Sequence, residues 1–403
     1  MSVKKLNQFI LLPELKYSKH YFHRRKMIIE CTKVSEFEVC SHCAHKSSTI
    51  YDRRLVSIRD EPLRNKHVLL KIKKRRFKCK NIDCPKTCFT EPINGISKGF
   101  RTTQNFRKFI RKLASKYMNL NQVVKELRVS TSTVYKAFYE QIELELRKTK
   151  NPWPKTIGID EHSFQRNIKY SGRDFVSVFI DYDNKRIKEV VMGKSIIGLK
   201  TSSIKNIPER ENVKNVILDL SPTFRSFAQE FFPKARLIAD HFHVVKLMHP
   251  YIQELRKETI EMYGFNKKRG NPARRLVIAY RNKLRFSTRN VIDEFLRCND
   301  DLKEIYWYQQ RLYRVYRIKG YNRAKKALLS LLDDMAHSKQ RKVQSYRKTL
   351  LKWRWEILNY FKTNGLNNGR TEGYNCKAKL IQRCAYGFRS FKNYRLKLLY
   401  HCR

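Results

Sequence analysis

The chain has 403 residues, with 88 Lys plus Arg against 36 Asp plus Glu, a formal net charge of +52. That length divides into two to four domains, and a 41% hydrophobic share with 12% aromatics excludes a disordered polycation. A sequence pI of about 10.1, with cations spread along the whole length, fits a long nucleic-acid track better than a ribosomal or membrane-surface role.

No apolar run approaches the ~18 to 20 residues that span a bilayer, and the short stretch 9–12 is interrupted by Pro13. A cytoplasmic, nucleoid-associated protein with no membrane partner is expected. In that reducing setting clustered cysteines among the ten present are metal ligands rather than a disulfide framework.

Residues 1–100 read as short strands and turns with clustered Cys, the alternation at 54–58 and 68–72 marking a half-buried sheet. Cys40 and Cys43 form one close pair; Cys79 and Cys84 form another. Two such pairs separated by strand-like sequence predict a structural four-thiolate Zn2+ site of ribbon type. Cys88, His42 and His45 are competing ligands for this site. Cys31, Cys298, Cys376, Cys384 and Cys402 have no partner spacing and read as structural.

Residues 101–147 change to a helical period and predict a helix-turn-helix domain. Phe106, Phe109, Ile110, Leu113 and Ala114 mark one stripe. Two shorter helices follow, at 121–127 and 131–140, with Ser130 as N-cap of the second. That second helix would present Thr131, Ser132, Thr133, Tyr135 and Lys136 to DNA. The competing reading is an ordinary helical hairpin. Residues 148–155, with Pro152 and Pro154, form the clearest linker.

Beyond the linker, strands at 156–160, 174–181, 186–192, 213–219 and 235–239 predict a mixed sheet with interleaved helices in residues 156–243. Residues 244–367 are helix-periodic, rich in Lys and Arg interleaved with Tyr306, Trp307, Tyr308, Tyr313, Tyr316, Trp353 and Trp355. These rings could stack on unpaired bases, but core packing is the reading favoured for Trp353 and Trp355. Residues 368–403 read as basic helices, and no internal repeat is evident.

In a chain so poor in acids, three carboxylates stand out. Asp160 ends one apolar strand-like run, Asp219 ends another, and Glu372 opens a late helix. Two strand-end aspartates with a helical glutamate suit Mg2+ or Mn2+, hard cations that take oxygen ligands. Two such ions about 3.5 to 4 Å apart activate a water and stabilise the leaving oxygen in phosphodiester cleavage. Glu161 is the fallback for Asp160, since successive strand residues face opposite ways. On the glutamate's helix, Asn375 and Lys379 share a related face and are expected to touch substrate phosphates.

Several motifs together resemble those of DDE insertion-sequence transposases of the ISL-three family, over nearly the whole chain. They are Arg75-Arg76-Phe77-Lys78-Cys79, Cys84-Pro85, Phe89-Thr90-Glu91, Gly158-Ile159-Asp160-Glu161, Leu218-Asp219-Leu220-Ser221, Asp240-His241-Phe242-His243 and Asn368-Gly369-Arg370-Thr371-Glu372-Gly373, then residues 379–389. The resemblance implies a multidomain α/β protein: an RNase H-like mixed-sheet catalytic domain with a helical insertion before the glutamate, preceded by the zinc-ribbon-like module and the helix-turn-helix domain. It places the family's triad on Asp160, Asp219 and Glu372. It also implies metal-dependent strand cleavage and strand transfer at terminal inverted repeats.

Asp240 and His243 are accessory residues: Asp240 could support the metal site and His243 could contact DNA or hold an active-site loop, against a reading in which both serve packing and support behind the site. The partners implied are double-stranded DNA, as element ends and target, and further copies of the chain assembled on it. Two other functions compete. One is a catalytically silent sequence-specific DNA-binding regulator derived from a transposase; the other is a plain nuclease on the same fold.

Overall fold

The computed structural model describes residues 12–149, 151–166, 173–264 and 277–403. It divides into two compact units, Met1–Lys148 with Cys384–Tyr386, and Thr149–Arg383 with Gly387–Arg403.

The first unit begins with strands β1 (Leu15–His23), β2 (Lys26–Lys33), β3 (Glu38–Val39), β4 (Lys46–Ser47), β5 (Ile50–Leu63), β6 (Lys66–Lys78) and β7 (Cys88–Thr90). The main sheet has the order β1-β2-β6-β5, with β7 added to β6. β5 and β6 form a long antiparallel hairpin whose two-residue turn puts Arg64 and Asn65 at φ 46° and 61°, the left-handed pair that matches strand twist. One sheet face buries Tyr17, Ile29, Val68, Leu70 and Ile72 with Ile93 and Ile96.

Three helical segments follow: α1 (Gln104–Lys116), α2 (Leu120–Leu127) and α3 (Thr131–Tyr135), the last continuing as a π-type stretch Lys136–Glu140 into α4 (Gln141–Lys148). Phe106, Ile110, Val123, Leu127, Val134 and Phe138 are buried, so the stripes predicted from the sequence do meet. Arg128 turns the chain between α2 and α3 in the left-handed region. Ser130 caps α3, its hydroxyl accepting from the Thr133 N–H at 3.2 Å. Arg59 of β5 donates to the carbonyl of Leu127 at 2.9 Å, which satisfies an orphan acceptor at the end of α2.

The second unit carries β8 (Thr156–Arg166), β9 (Arg173–Asp181), β10 (Arg186–Met192), α5 (Ile196–Thr201), β11 (Asn215–Leu218), α6 (Pro222–Phe231) and β12 (Arg236–Ala239). The sheet order is β10-β9-β8-β11-β12. β8, β9 and β10 are antiparallel neighbours, whereas β11 runs parallel to both β8 and β12.

After the sheet come α7 (His241–Lys246), α8 (His249–Met262), α9 (Phe286–Arg297), α10 (Asp300–Val315), α11 (Tyr321–Ala336), α12 (Arg341–Lys352), α13 (Arg354–Lys362), α14 (Gly369–Cys384) and α15 (Phe391–His401). α13 packs on β12 and α15 on β10. Arg395 of α15 pins that contact with two bonds to Glu189, at 2.6 and 2.5 Å.

Several expectations change. Trp153, assigned to the linker, is buried and packs edge-on against Phe179, Phe231 and Phe232, so the segment's end belongs to the second core. Trp353 is buried as expected, but Trp355 is 52% exposed. Cys376 and Cys384 are exposed rather than structural fillers. Asp160 does not end its strand, because β8 continues to Arg166 alongside β9. No helix among the described residues is long and apolar enough to cross a membrane.

Candidate active site and zinc centre

The parallel register brings the acids together. Ile159 of β8 pairs with Leu218 of β11, and Leu218 pairs with Ala239 of β12. The next residue on each strand is an aspartate: Asp160, Asp219 and Asp240. Neighbouring strands lie ~4.8 Å apart, so three carboxylates stand in a row where the parallel ladder stops, at the carboxyl ends where open α/β sheets bind ligands.

Their surroundings separate their roles. Asp240 is buried, accepting from Nδ1 of His243 at 2.9 Å and from the backbone N–H of Asn368 at 3.1 Å. Burial pushes its carboxyl up, but these two donors outweigh it and hold it below the usual carboxylate range. His243 is raised in turn, first by that bond and then by the nearby Asp219 and Asp160 charges.

Asp160 is pushed up to about 6, chiefly by burial and then by the negative charges of Asp219 and Asp240, against a lowering backbone bond from Glu161. Asp219 is also raised by burial. Its Oδ1 is a buried oxygen with no hydrogen-bond partner. An orphaned carboxylate oxygen beside a second buried carboxylate is the donor set a hard divalent cation satisfies.

Glu372 lies in the first turn of α14, which is seated on β8. Thr371 and Tyr182 share a 3.0 Å hydroxyl contact, and a Cβ at Gly158 would fall 2.4 Å from Thr371 Oγ1 and 2.7 Å from Tyr182 Cε2. Only glycine allows this approach. Glu372 stands beside the buried stripe of Thr371, Asn375 and Ala378, and its side chain is exposed. The carboxylates of Asp160, Asp219 and Glu372 do not all come within 4.8 Å of one another. Among the described residues, only the four cysteines bring three or more potential ligand atoms within 4.8 Å of one another.

Asn375 is placed otherwise than the sequence suggested. It is 7% exposed, its Nδ2 donating to Asp160 Oδ2 at 2.7 Å and its Oδ1 lying 3.2 Å from His162 Nδ1. It therefore faces the sheet rather than a phosphate, while Lys379 on the same helix is exposed. His162 was missed, although its position two residues beyond Asp160 puts it on the same strand face. Burial pushes this imidazole down to about 4.

In the first unit, the sulfurs of Cys40, Cys43, Cys79 and Cys84 converge. Cys40 and Cys84 are 4.0 Å apart, Cys43 and Cys79 3.5 Å. These values straddle the edge of about 3.8 Å for a tetrahedron with ~2.3 Å zinc–sulfur bonds. Ala44 in the left-handed region and its N–H bond to Cys40 O at 3.0 Å form the first knuckle. Cys88 stays outside the cluster, accepting from Arg76 at 2.6 Å, and His42 reaches only Cys84 Sγ, at 3.7 Å.

On the helices of that unit Thr131, Ser132 and Lys136 are exposed, Thr133 and Tyr135 half-buried. Ser132, Thr133 and Lys136 line a cleft with Lys98, Arg101 and Arg107.

Comparison with known proteins agrees with this layout. Residues 36–84 match the zinc-finger of transposase IS204/IS1001/IS1096/IS1165, so the four-cysteine cluster is a structural zinc ribbon. The chain is 21% identical over 386 residues to the transposase for insertion sequence element IS1001 of Bordetella parapertussis, covering 93% of this chain and 91% of that one. The Drosophila P element transposase strand transfer complex is a structural neighbour at TM-score 0.40 and 10% identity, covering 74% of this chain and 92% of that one. Residues 157–398 match the ISL3-type DDE family model described as Transposase, and the chain belongs to that family: it is a transposase.

Proposed function

We propose that this transposase binds the terminal inverted repeats of its insertion sequence and cuts and rejoins DNA at a divalent-cation site formed by Asp160, Asp219 and Glu372. The observation that carries this reading is the row of aspartates with an unpartnered oxygen on Asp219. The sheet order, three antiparallel strands followed by two parallel ones, supports an RNase H-like catalytic domain split by the helical insertion 244–367.

Asp160 and Asp219 would hold Mg2+ or Mn2+ from the sheet, with Glu372 completing the set from α14. When bound, the cations activate the attacking oxygen and stabilise the leaving one. Around them, Asp240 fixes the start of α14 and orients His243, while exposed Lys379 would contact a substrate phosphate. Hydrolysis frees a 3′-hydroxyl, and attack of that hydroxyl on a target phosphodiester joins element to target as the target's own P–O3′ bond breaks and its 3′-hydroxyl leaves. The exposed face of α3, with its basic cleft, supports a helix-turn-helix reading in which Thr131, Ser132, Thr133, Tyr135 and Lys136 read the element end. A homo-oligomer assembled on DNA follows from the need to hold two ends, acting inside the cell where the element resides.

Incubating the protein with labelled end DNA and Mg2+ and mapping the cuts tests this reading. Cuts at the element boundary are expected from wild type and none from Glu372→Gln, whose end binding stays near wild type. Specific binding without cuts by wild type would favour a catalytically silent regulator.

A further inference from the structure

A continuous run of polar side chains crosses the interior of the second unit and ends on Asp160. The hydroxyl of Tyr394 on α15 lies 2.5 Å from Nε2 of His162. Nδ1 of His162 meets Oδ1 of Asn375 at 3.2 Å, and Nδ2 of Asn375 donates to Oδ2 of Asp160 at 2.7 Å. Tyr394, His162 and Asn375 are all buried.

The donor and acceptor roles follow from what each group can do. A carboxylate only accepts, so Asn375 turns its NH2 to Asp160 and its carbonyl to His162. That carbonyl requires the proton on Nδ1, which leaves Nε2 to accept from the Tyr394 hydroxyl. One tautomer and one amide orientation satisfy every member, and satisfied buried networks hold a single geometry. Oδ1 of Asp160 is fixed separately by the Glu161 N–H at 2.7 Å. The ring of Tyr394 is held by Phe164 and Phe388, with centroids 5.0 and 5.2 Å away.

Packing alone does not require this arrangement. α14 is already seated by Gly158, Thr371 and Tyr182, and α15 by Arg395 on Glu189. An apolar side chain at 375 would fill the space without the cost of burying an amide. The run terminates on Asp160, which stands beside Asp219 in the row of strand-end acids.

We propose that Asn375 is a positioning residue which, backed by His162 and Tyr394, orients the Asp160 carboxylate for a divalent cation. The C-terminal helix α15 is thereby part of the catalytic apparatus. This rests on the reading of Asp160 as a cation ligand. Partners of ligating groups typically change metal affinity by about 10 to 100-fold when removed.

Mn2+ binding to the full chain, followed by electron paramagnetic resonance in wild type, Asn375→Ala, Tyr394→Phe and Asp160→Asn, provides the test. Thermal melting and end-DNA binding serve as controls. Asn375→Ala should weaken Mn2+ binding roughly tenfold or more, and Tyr394→Phe, which keeps the ring in place, should weaken it in the same direction. Nitrogen NMR of the metal-free protein should show His162 as the Nδ1–H tautomer in wild type and as a tautomer mixture in Tyr394→Phe. If Asp160→Asn loses Mn2+ while folded Asn375→Ala and Tyr394→Phe bind it like wild type, the positioning role is wrong and the cation site stands. Should Asn375→Ala not fold, unchanged Mn2+ affinity and an unchanged His162 tautomer in Tyr394→Phe overturn the role by themselves. If Asp160→Asn also binds normally, the cation-site reading fails and this proposal with it.

Discussion

The Asp240 carboxylate accepts the backbone N–H of Asn368 at 3.1 Å, across a sequence separation of 128 residues. One side chain thus ties the end of β12, where the helical insertion begins, to the start of α14, where it ends. Its other oxygen holds His243. The insertion is clasped at its base, and the turn that carries Glu372 is fixed relative to the strand ends.

Replacing this acid by its amide keeps the size and removes the charge. Asp240→Asn is expected to destabilise the protein by about 1 to 3 kcal/mol, the cost of weakening buried charge-assisted bonds, and to reduce cleavage sharply because α14 loses its anchor. Chemical denaturation beside an end-cleavage assay measures both. Wild-type stability with wild-type cleavage would show that the clasp is incidental.

The aspartates predict opposite pH behaviour. Asp160, at about 6, lies above its unfolded value of about 3.9. Its contribution to the metal-free fold is therefore fully present below about pH 4 and is lost as pH rises through about 6. Asp219, also raised, acts in the same sense. Asp240, lowered, stabilises above about pH 4, and that contribution goes as pH falls through its depressed value. Because cations compete with protons for Asp160, Mn2+ affinity should fall with pH below about 6 and level off above about 7. Calorimetric titration across that range checks the sign; flat affinity would contradict it.

The zinc ribbon makes a separate prediction for the first unit. Wild-type protein should carry one zinc per chain by elemental analysis. Cys43→Ser or Cys79→Ser should lose it, and each kcal/mol of stability lost with the metal lowers the melting temperature of a unit this size by roughly 2 to 4 °C. Cys88→Ser should keep the metal, since that thiol pairs with Arg76 outside the cluster. Zinc loss from Cys88→Ser would overturn the ligand set.

Much of this architecture was legible in the sequence because its signals are local. Cysteine spacing gave the ligand set, alternation gave the strands, and Ser130 announced the start of α3. Apolar runs ending in Asp located Asp160 and Asp219, and Asp240 follows an equally short expected strand, 235–239. What periodicity could not tell was how far β8 extends past Asp160, since that depends on pairing with β9. It also misplaced Asn375. Helical spacing put that residue near Glu372, but only the three-dimensional fit of α14 against Gly158 shows that its amide points inward. Trp153, inside the expected linker, is buried and Trp355, expected in the core, is exposed, because burial of an aromatic beside prolines or cations is decided by distant partners.

The central claim is that positions 160, 219 and 372 all ligate the catalytic cations, and a thiophilic-metal rescue tests it most directly. Asp160→Cys, Asp219→Cys and Glu372→Cys should each lose end cleavage in Mg2+, because a hard ion binds thiolate poorly, and each should regain part of it in Mn2+, a softer ion. Full Mg2+-dependent cleavage by any of the three, or Mn2+ rescue of the aspartate variants but not of Glu372→Cys, would contradict the shared site.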